Sequence, residues 1–338
     1  MRFWDWQADA RRTTRWLVLL FAVCVLAVLA AVHGGLTLAW LLLFAQFDYP
    51  KGFVAVNVGV TLCLILGGWL LTYETLSQGG RKLAQRIGAR EARPSTSSAE
   101  QQLCNIVQEM CIAAQMRPPQ VVVLARADAI NAFAAAWQPE DAVVAVTQGA
   151  LDYLTRDEMQ GLVAHELSHL KEGDTRLNMQ MAGMVSGLEL VYHFGESLRE
   201  RGGLGWWFGN AVMAAGFVGF LSGRLLKAAV SRQREYLADA RAVQWTRSRD
   251  ALGGVLRKVL TQRQAAQAFR GGWHGDARSH AGLHHPLVQH MLLAETPERS
   301  ALAHWLDAHP PLEQRIARIY GRAMPSLPLV RQGHTHSR

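Results

Sequence analysis

Two histidines four residues apart bracket a glutamate in the run His165-Glu166-Leu167-Ser168-His169. On a helix, positions four apart lie one above the other, so both imidazoles address a common point about 2 Å from each ligating nitrogen. Zinc at that point needs a third protein ligand and keeps a fourth position open for water, whose pKa it lowers toward ~7. Glu166 is placed to take that water's proton. The chemistry this spacing describes is metal-assisted hydrolysis. Two surface histidines on an amphipathic helix are the alternative, and a third ligand decides between them.

The surrounding residues build the helix that this geometry needs. Thr155 and Glu158 form a capping box, Leu162, Leu167 and Leu170 supply apolar faces, and Gly173 follows at the C-cap. A third ligand is offered further on, in Ser231-Arg232-Gln233-Arg234-Glu235-Tyr236-Leu237-Ala238-Asp239. Glu235 and Asp239 share one helical face there, so Glu235 can complete a His-His-Glu site. Asp239 can accept the free ring N–H of a ligating histidine and fix its tautomer.

Elements upstream of the histidines have a different period. Leu103, Ile106, Val107, Met110 and Ala114 recur on one helical face, giving a helix of about four turns before Pro118-Pro119. Val121 to Leu124, Asn131 to Ala135 and Ala142 to Thr147 are short β-prone runs, so a small sheet feeds the metal helix through a helical run, Ala150 to Leu154. Asn131-Ala132-Phe133-Ala134 has two readings. It is an exposed strand edge that holds an extended peptide by main-chain hydrogen bonds, or an ordinary sheet strand with Phe133 in the core.

Half of the 338 residues are hydrophobic, and they are clustered. Trp16 to Gln46 and Gly52 to Tyr73 carry no formal charge, and each exceeds the ~20 residues that span a bilayer. Gly34-Gly35 marks a kink or an early end in the first, and Asp48 to Lys51 reads as the turn between them. A second span follows at once and no cleavage site is evident, so the first is an uncleaved anchor instead of a secretory signal. Arg2, Arg11, Arg12 and Arg15 precede the pair and Arg81, Lys82, Arg86, Arg90 and Arg93 follow it, which places both ends in the cytoplasm. The net charge of +8 is explained by this topology and not by nucleic acid, since no stacking or phosphate-loop motif accompanies the arginines. Cys24, Cys63, Cys104 and Cys111 lack zinc-knuckle spacing and read as reduced.

Arg93 to Ala99 is a polar, low-complexity linker. Beyond the histidines, Asp174 can cap a helix through Leu177 to Leu188, and Leu204 to Gly223 is a third uncharged stretch of spanning length. His165, His169 and Glu235 must share one metal, so the chain between them crosses the bilayer an even number of times. Leu177 to His193 is then the second crossing of this pair, despite Asn178, Gln180 and Glu189.

Asn131 to Ala134, His165 to His169, Ser231 to Asp239 and His309-Pro310-Pro311-Leu312-Glu313-Gln314-Arg315-Ile316 occur in the order seen in the HtpX-like metallopeptidases, a family that includes the CAAX prenyl proteases. The chain resembles that family over residues 131 to 316. The resemblance implies one zinc ion per chain held by His165, His169 and Glu235, with Glu166 as general base. It also makes Asn131 to Ala134 the substrate strand and His309 a catalytic residue near the cleft. The implied fold is α+β, mainly helical, with a zincin-like (gluzincin) catalytic domain, a small sheet and about four transmembrane helices. Residues 1–90 form the anchor, 91–100 the linker, and 101–338 the peptidase domain with membrane helices inserted at about 177–196 and 204–223.

The expected activity is membrane-bound endopeptidase action in membrane-protein quality control, at the cytoplasmic face of a bacterial inner membrane. Protein or peptide substrates, membrane proteins among them, and the lipid bilayer are the partners, and nucleic acid is not. Two rivals share the residues: prenyl-protein processing, which needs a wide chamber for which four spans are too few, and a scaffold with structural zinc. Residues 263 to 308, with Trp273 to Asp276 and His280 to Pro286, match no motif. Gly282 and Pro286 make the latter stretch a loop.

Overall fold

The computed structural model describes residues 3–45, 48–268, 292–293 and 309–332. Trp273 to Asp276, and His280 to Pro286 with its expected loop, lie outside the described residues. The chain divides into two compact units, Met1–Thr75 with Gln180–Ala228 and Leu76–Met179 with Ala229–Arg338. Most of the described residues are helical, and among them one small mixed sheet lies in the second unit.

The first unit is built from α1 (Phe3–Phe44), α2 (Phe53–Ser77) and parts of α7 (Asp174–Glu200) and α8 (Leu204–Thr246). Among the described residues, three helical segments are long and apolar enough to cross a membrane: Leu19–Phe44, Phe53–Ser77 and Leu204–Gly223. Large apolar side chains such as Leu26, Leu42, Leu70 and Leu71 stand exposed along them, as a lipid-facing surface requires. Helix α1 neither ends nor breaks at Gly34-Gly35. A Cβ on Gly35 would lie 3.2 Å from the Ala211 carbonyl oxygen, so that glycine serves the approach of α8.

Helix α7 is the polar member of this unit, and it is the one packed inside. No residue from Leu177 to Tyr192 is exposed, and Asn178, Gln180 and Glu189 are half-buried. Its Gly183-Met184-Val185-Ser186-Gly187 is a GxxxG stripe. A Cβ on Gly187 would stand 2.3 Å from the Ile65 carbonyl oxygen of α2, and one on Gly183 would stand 3.1 Å from Trp69. Thr72 also donates a hydrogen bond to Ser186 at 3.0 Å. On the α8 side, a Cβ on Gly195 would stand 2.4 Å from the Met213 backbone, and one on Gly216 2.6 Å from the Tyr192 backbone. Small residues at helix crossings and polar groups between helices are how membrane helices associate.

The second unit carries the sheet in the order β1-β2-β4-β3: β1 Arg90–Glu91, β2 Gln120–Leu124, β3 Ala132–Ala135 and β4 Val143–Thr147. Strands β2 and β4 run parallel, while β1 and β3 are antiparallel to their neighbours. The stretch around residues 91–100 is ordered chain: Arg90 donates to Glu100 at 2.9 and 2.6 Å, and Ser97 caps α4 (Ser98–Ala114). Helices α3 (Gly80–Arg86) and α5 (Gln148–Tyr153) flank the sheet.

Helix α6 (Arg156–Glu172) has the capping box Thr155/Glu158 at its start and Gly173 at φ 73° at its end. It packs between α4 and α9 (Arg249–Ala268). Gly161 makes the α9 crossing possible, because a Cβ there would lie 2.4 Å from backbone atoms of Ala251 and Leu252. Lys258 of α9 reaches the capping glutamate Glu158 at 2.6 Å and the Tyr153 carbonyl at 2.8 Å. Helix α10 (Leu312–Tyr320) closes the core through Leu312 and Ile316.

Candidate metal centre

His165 and His169 stand on the buried side of α6, and their Nε2 atoms face each other at 3.2 Å. Two nitrogens bound to one tetrahedral zinc at about 2.05 Å would be separated by about 3.3 Å. Helix α8 brings Glu235 to the same place, with Oε1 3.3 Å from His169 Nε2 and Oε2 3.6 Å from His165 Nε2. Among the described residues, these three form the group whose ligand atoms, all within 4.8 Å of one another, could hold a metal ion.

The remaining ring nitrogens decide whether the trio fits a metal. His165 Nδ1 lies 3.1 Å from Asp239 Oδ1, and His169 Nδ1 lies 3.0 Å from Asp174 Oδ2. A carboxylate at each Nδ1 selects the tautomer with the proton there, which leaves both Nε2 lone pairs pointing inward. Glu166, one residue on from His165, is buried, and its Oε1 has no hydrogen-bond partner among the described residues. Two inward imidazole nitrogens, a carboxylate and an unpaired acid beside them fit a catalytic metal and its base.

Charge in this buried cluster is balanced by Arg315 of α10, which is fully buried. It donates to Asp239 through Nε at 2.9 Å and Nη2 at 2.6 Å, a bidentate pairing, and through Nη1 to the Leu293 carbonyl at 3.0 Å. Nη1 is also 3.1 Å from Glu235 Oε2. His309 sets its Nδ1 3.1 Å from the same oxygen. Burial works against the charge on Glu235, but His309, Arg315 and the two histidines outweigh it and hold the carboxyl well below its ordinary range. Asp239 is held low in the same way, chiefly by Arg315. Burial pushes Glu166 upward, and the opposing pull of the histidines does not cancel it. Burial also pulls both imidazoles down, yet hydrogen bonds to Asp239 and Glu235 leave His165 above its ordinary value, and Glu235 does the same for His169.

Asn131 and β3 lie in the second unit beside the histidine helix. Strand β3 is at the sheet edge, yet Asn131, Ala132, Phe133 and Ala134 are all buried, with Phe133 fully in the core. The Ala132 carbonyl accepts a hydrogen bond from the Leu293 amide at 3.1 Å, so a backbone from outside the sheet already meets that edge. Asn131 itself is tied to β4, donating from its amide to Thr147 Oγ1 at 3.0 Å and accepting from the Thr147 amide at 3.1 Å.

Three members of the cluster were not legible from spacing. Arg315 lies inside the His309 to Ile316 element, but nothing local assigns it a partner. Asp174 reads only as the start of a helix, and Arg234 as one of several basic residues after the third span. Arg234, directly beside Glu235, carries the one local signal, a charge of opposite sign next to an expected ligand, while Asp174 and Arg315 carry none.

Comparison with known proteins agrees with this chemistry. The family model described as Peptidase family M48 matches residues 97–323. A Streptococcus uberis protein named Protease HtpX homolog is 27% identical over 299 residues, covering 84% of this chain and 94% of that protein. One of the same name from Lactobacillus acidophilus is 34% identical over 234 residues, covering 64% and 72%. A third, from Streptococcus gordonii, is 28% identical over 331 residues, covering 94% and 99%. No solved structure matches the chain.

Proposed function

Since the chain belongs to peptidase family M48 and is a membrane metallopeptidase, we propose that it is a zinc endopeptidase whose metal is held by His165, His169 and Glu235. The observation that carries this reading is the convergence of both Nε2 atoms and the Glu235 carboxylate on one point beside the unpaired Glu166. Zinc bound there supplies Lewis-acid polarisation of the scissile carbonyl and acidifies water.

The protein's own groups do the rest. Glu166 is the general base: its carboxylate takes a proton from water and passes it to the leaving amine. Its burial raises its pKa, which suits a group that must both accept and return a proton. His309, against Glu235, belongs to the same catalytic group, and Asp239 holds the tautomer of His165. The substrate lies extended along Asn131 to Ala134, where the Leu293 amide on the Ala132 carbonyl marks a main-chain bonding position. The fold that supports this chemistry is zincin-like, with the histidine helix beside a small sheet.

The membrane arrangement has four crossings, two in residues 1–90 and two inserted at about 177–196 and 204–223, around a peptidase domain of 101–338. The parity of a site shared by α6 and α8, and the GxxxG packing of α7 against α2, support α7 as the fourth. Basic residues flanking the first pair put the catalytic domain on the cytoplasmic side, in a bacterial inner membrane. A peptidase continuous with membrane helices reaches cytoplasmic segments of membrane proteins, so quality control of such proteins is the role proposed.

The test uses purified full-length protein in detergent with casein and with a destabilised membrane protein. Cleavage should stop on chelation and return with zinc, and Asn131→Ala should lower it on both substrates without changing metal content. Cleavage that survives complete removal of metal would defeat the proposal.

A further inference from the structure

We propose that Asp174 and Arg234 are positioning residues for the metal centre: Asp174 fixes His169 as Asp239 fixes His165, and Arg234 holds Asp174 in place. This rests on the reading of His165, His169 and Glu235 as metal ligands. Asp174 is 2% exposed, and its Oδ2 is 3.0 Å from His169 Nδ1. Its other oxygen is paired with the guanidinium of Arg234. Each histidine therefore sets its Nδ1 against its own aspartate, and each aspartate is held by its own arginine, Arg315 for Asp239 and Arg234 for Asp174.

The pairing has a physical reason at both ends. A neutral imidazole exchanges its proton between Nδ1 and Nε2, and only the Nδ1–H form offers Nε2 to a metal. A carboxylate at Nδ1 enforces that form and raises ligand basicity. A carboxylate so far from solvent is costly to bury unless a cation faces it. Arg234 is that cation. It directly precedes Glu235 on α8, while Asp174 opens α7, so one ion pair sets the second ligand of α6 against the third ligand on α8. Glu172 and Arg241, 3.4 Å apart, make a parallel tie between α6 and α8.

Asp174 also stands in the first turn of α7, where an acid or a capping side chain has a purely structural use. Asp174→Ser separates the two roles, since serine is a competent residue at a helix start but its hydroxyl is too short to replace the carboxylate at His169. The experiment measures zinc affinity by chelator competition and the visible spectrum of the cobalt-substituted full-length protein. Helix content and melting temperature of the metal-free form are recorded alongside.

Asp174→Ser should weaken metal binding by about 10–100-fold, the range for a lost partner of a ligating histidine, and Arg234→Gln should weaken it by less. Both should alter the cobalt spectrum while the metal-free melt stays within about 2 °C of the unmutated protein, and Arg234→Lys should recover part of the loss. Unmutated affinity and spectrum in Asp174→Ser would overturn the proposal while leaving the ligand assignment intact. So would a loss of affinity accompanied by an equal collapse of the metal-free fold in both Asp174→Ser and Arg234→Gln. Failure of the unmutated protein to bind one zinc would instead defeat the ligand reading itself.

Discussion

Arg315 is the fully buried cation between the carboxylates of Asp239 and Glu235, and removing it leaves two acids with no solvent to turn to. Breaking a buried pair by deleting one partner typically costs 3–5 kcal/mol, so Arg315→Met should lower the stability of the metal-free protein by roughly that amount in thermal unfolding. A change under about 1 kcal/mol would mean that the two acids are not held as described. The histidines give a pH dependence. Metal needs neutral imidazoles, and both stand above the ordinary value of about 6.5 in the metal-free fold. A raised pKa means more protonation at a given pH, so zinc retention in equilibrium dialysis should begin to fall above pH ~6.5 and continue falling as pH drops. Retention that stays flat to pH ~5 would contradict this. His165, Glu166, His169, Glu235 and Asp239 could be picked out in the sequence because their relations are one helical turn long. Asp174, Arg234 and Arg315 could not, because which carboxylate meets which ring is settled by the docking of α6, α8 and α10.

At the scale of elements, the position of α6 depends on how closely α9 can approach it. Gly161→Val would drive a Cβ into the Ala251–Leu252 backbone, which has no flexible end to give way. The expected cost is about 1–3 kcal/mol, with zinc affinity reduced because the histidine helix moves; a melting temperature equal to that of the unmutated protein would refute the tight crossing. The sequence carried the capping box, the strands and the left-handed Gly173 plainly, since each is a local pattern. Helix α9 went unread, although Ala251, Leu252, Val255, Leu256 and Val259 form a buried stripe at helical spacing. Gly34-Gly35 misled in the opposite way: the pair suggests a break, while in the structure α1 continues and Gly35 is small because α8 passes over it. In α7 the hydropathy is modest because its neighbours are helices instead of lipid, and close packing through Gly183 and Gly187 replaces apolar surface.

For the whole molecule, topology follows from where the ligands are. Helices α6 and α8 supply the proposed site, and Leu204–Gly223 is apolar enough to cross once, so the proposal of one metal shared by the two helices requires α7 to make the return. A single cysteine at Arg201, in protein whose four native cysteines are replaced, should react with an impermeant maleimide only from the side opposite the peptidase domain. Labelling from the cytoplasmic side would leave α7 and α8 as re-entrant. The apolar runs of α1, α2 and Leu204–Gly223 are plain in the composition, whereas the burial of α7 is set by the helices packed against it.

The central claim is that Glu235 binds the metal and Glu166 moves the proton. Zinc stoichiometry and peptide cleavage, measured together on the unmutated protein, Glu166→Ala and Glu235→Ala, separate the two roles. Glu166→Ala should keep one zinc and lose about 10²–10⁴-fold in turnover, and Glu235→Ala should lose zinc and activity together. Full cleavage by zinc-loaded Glu166→Ala would contradict the account.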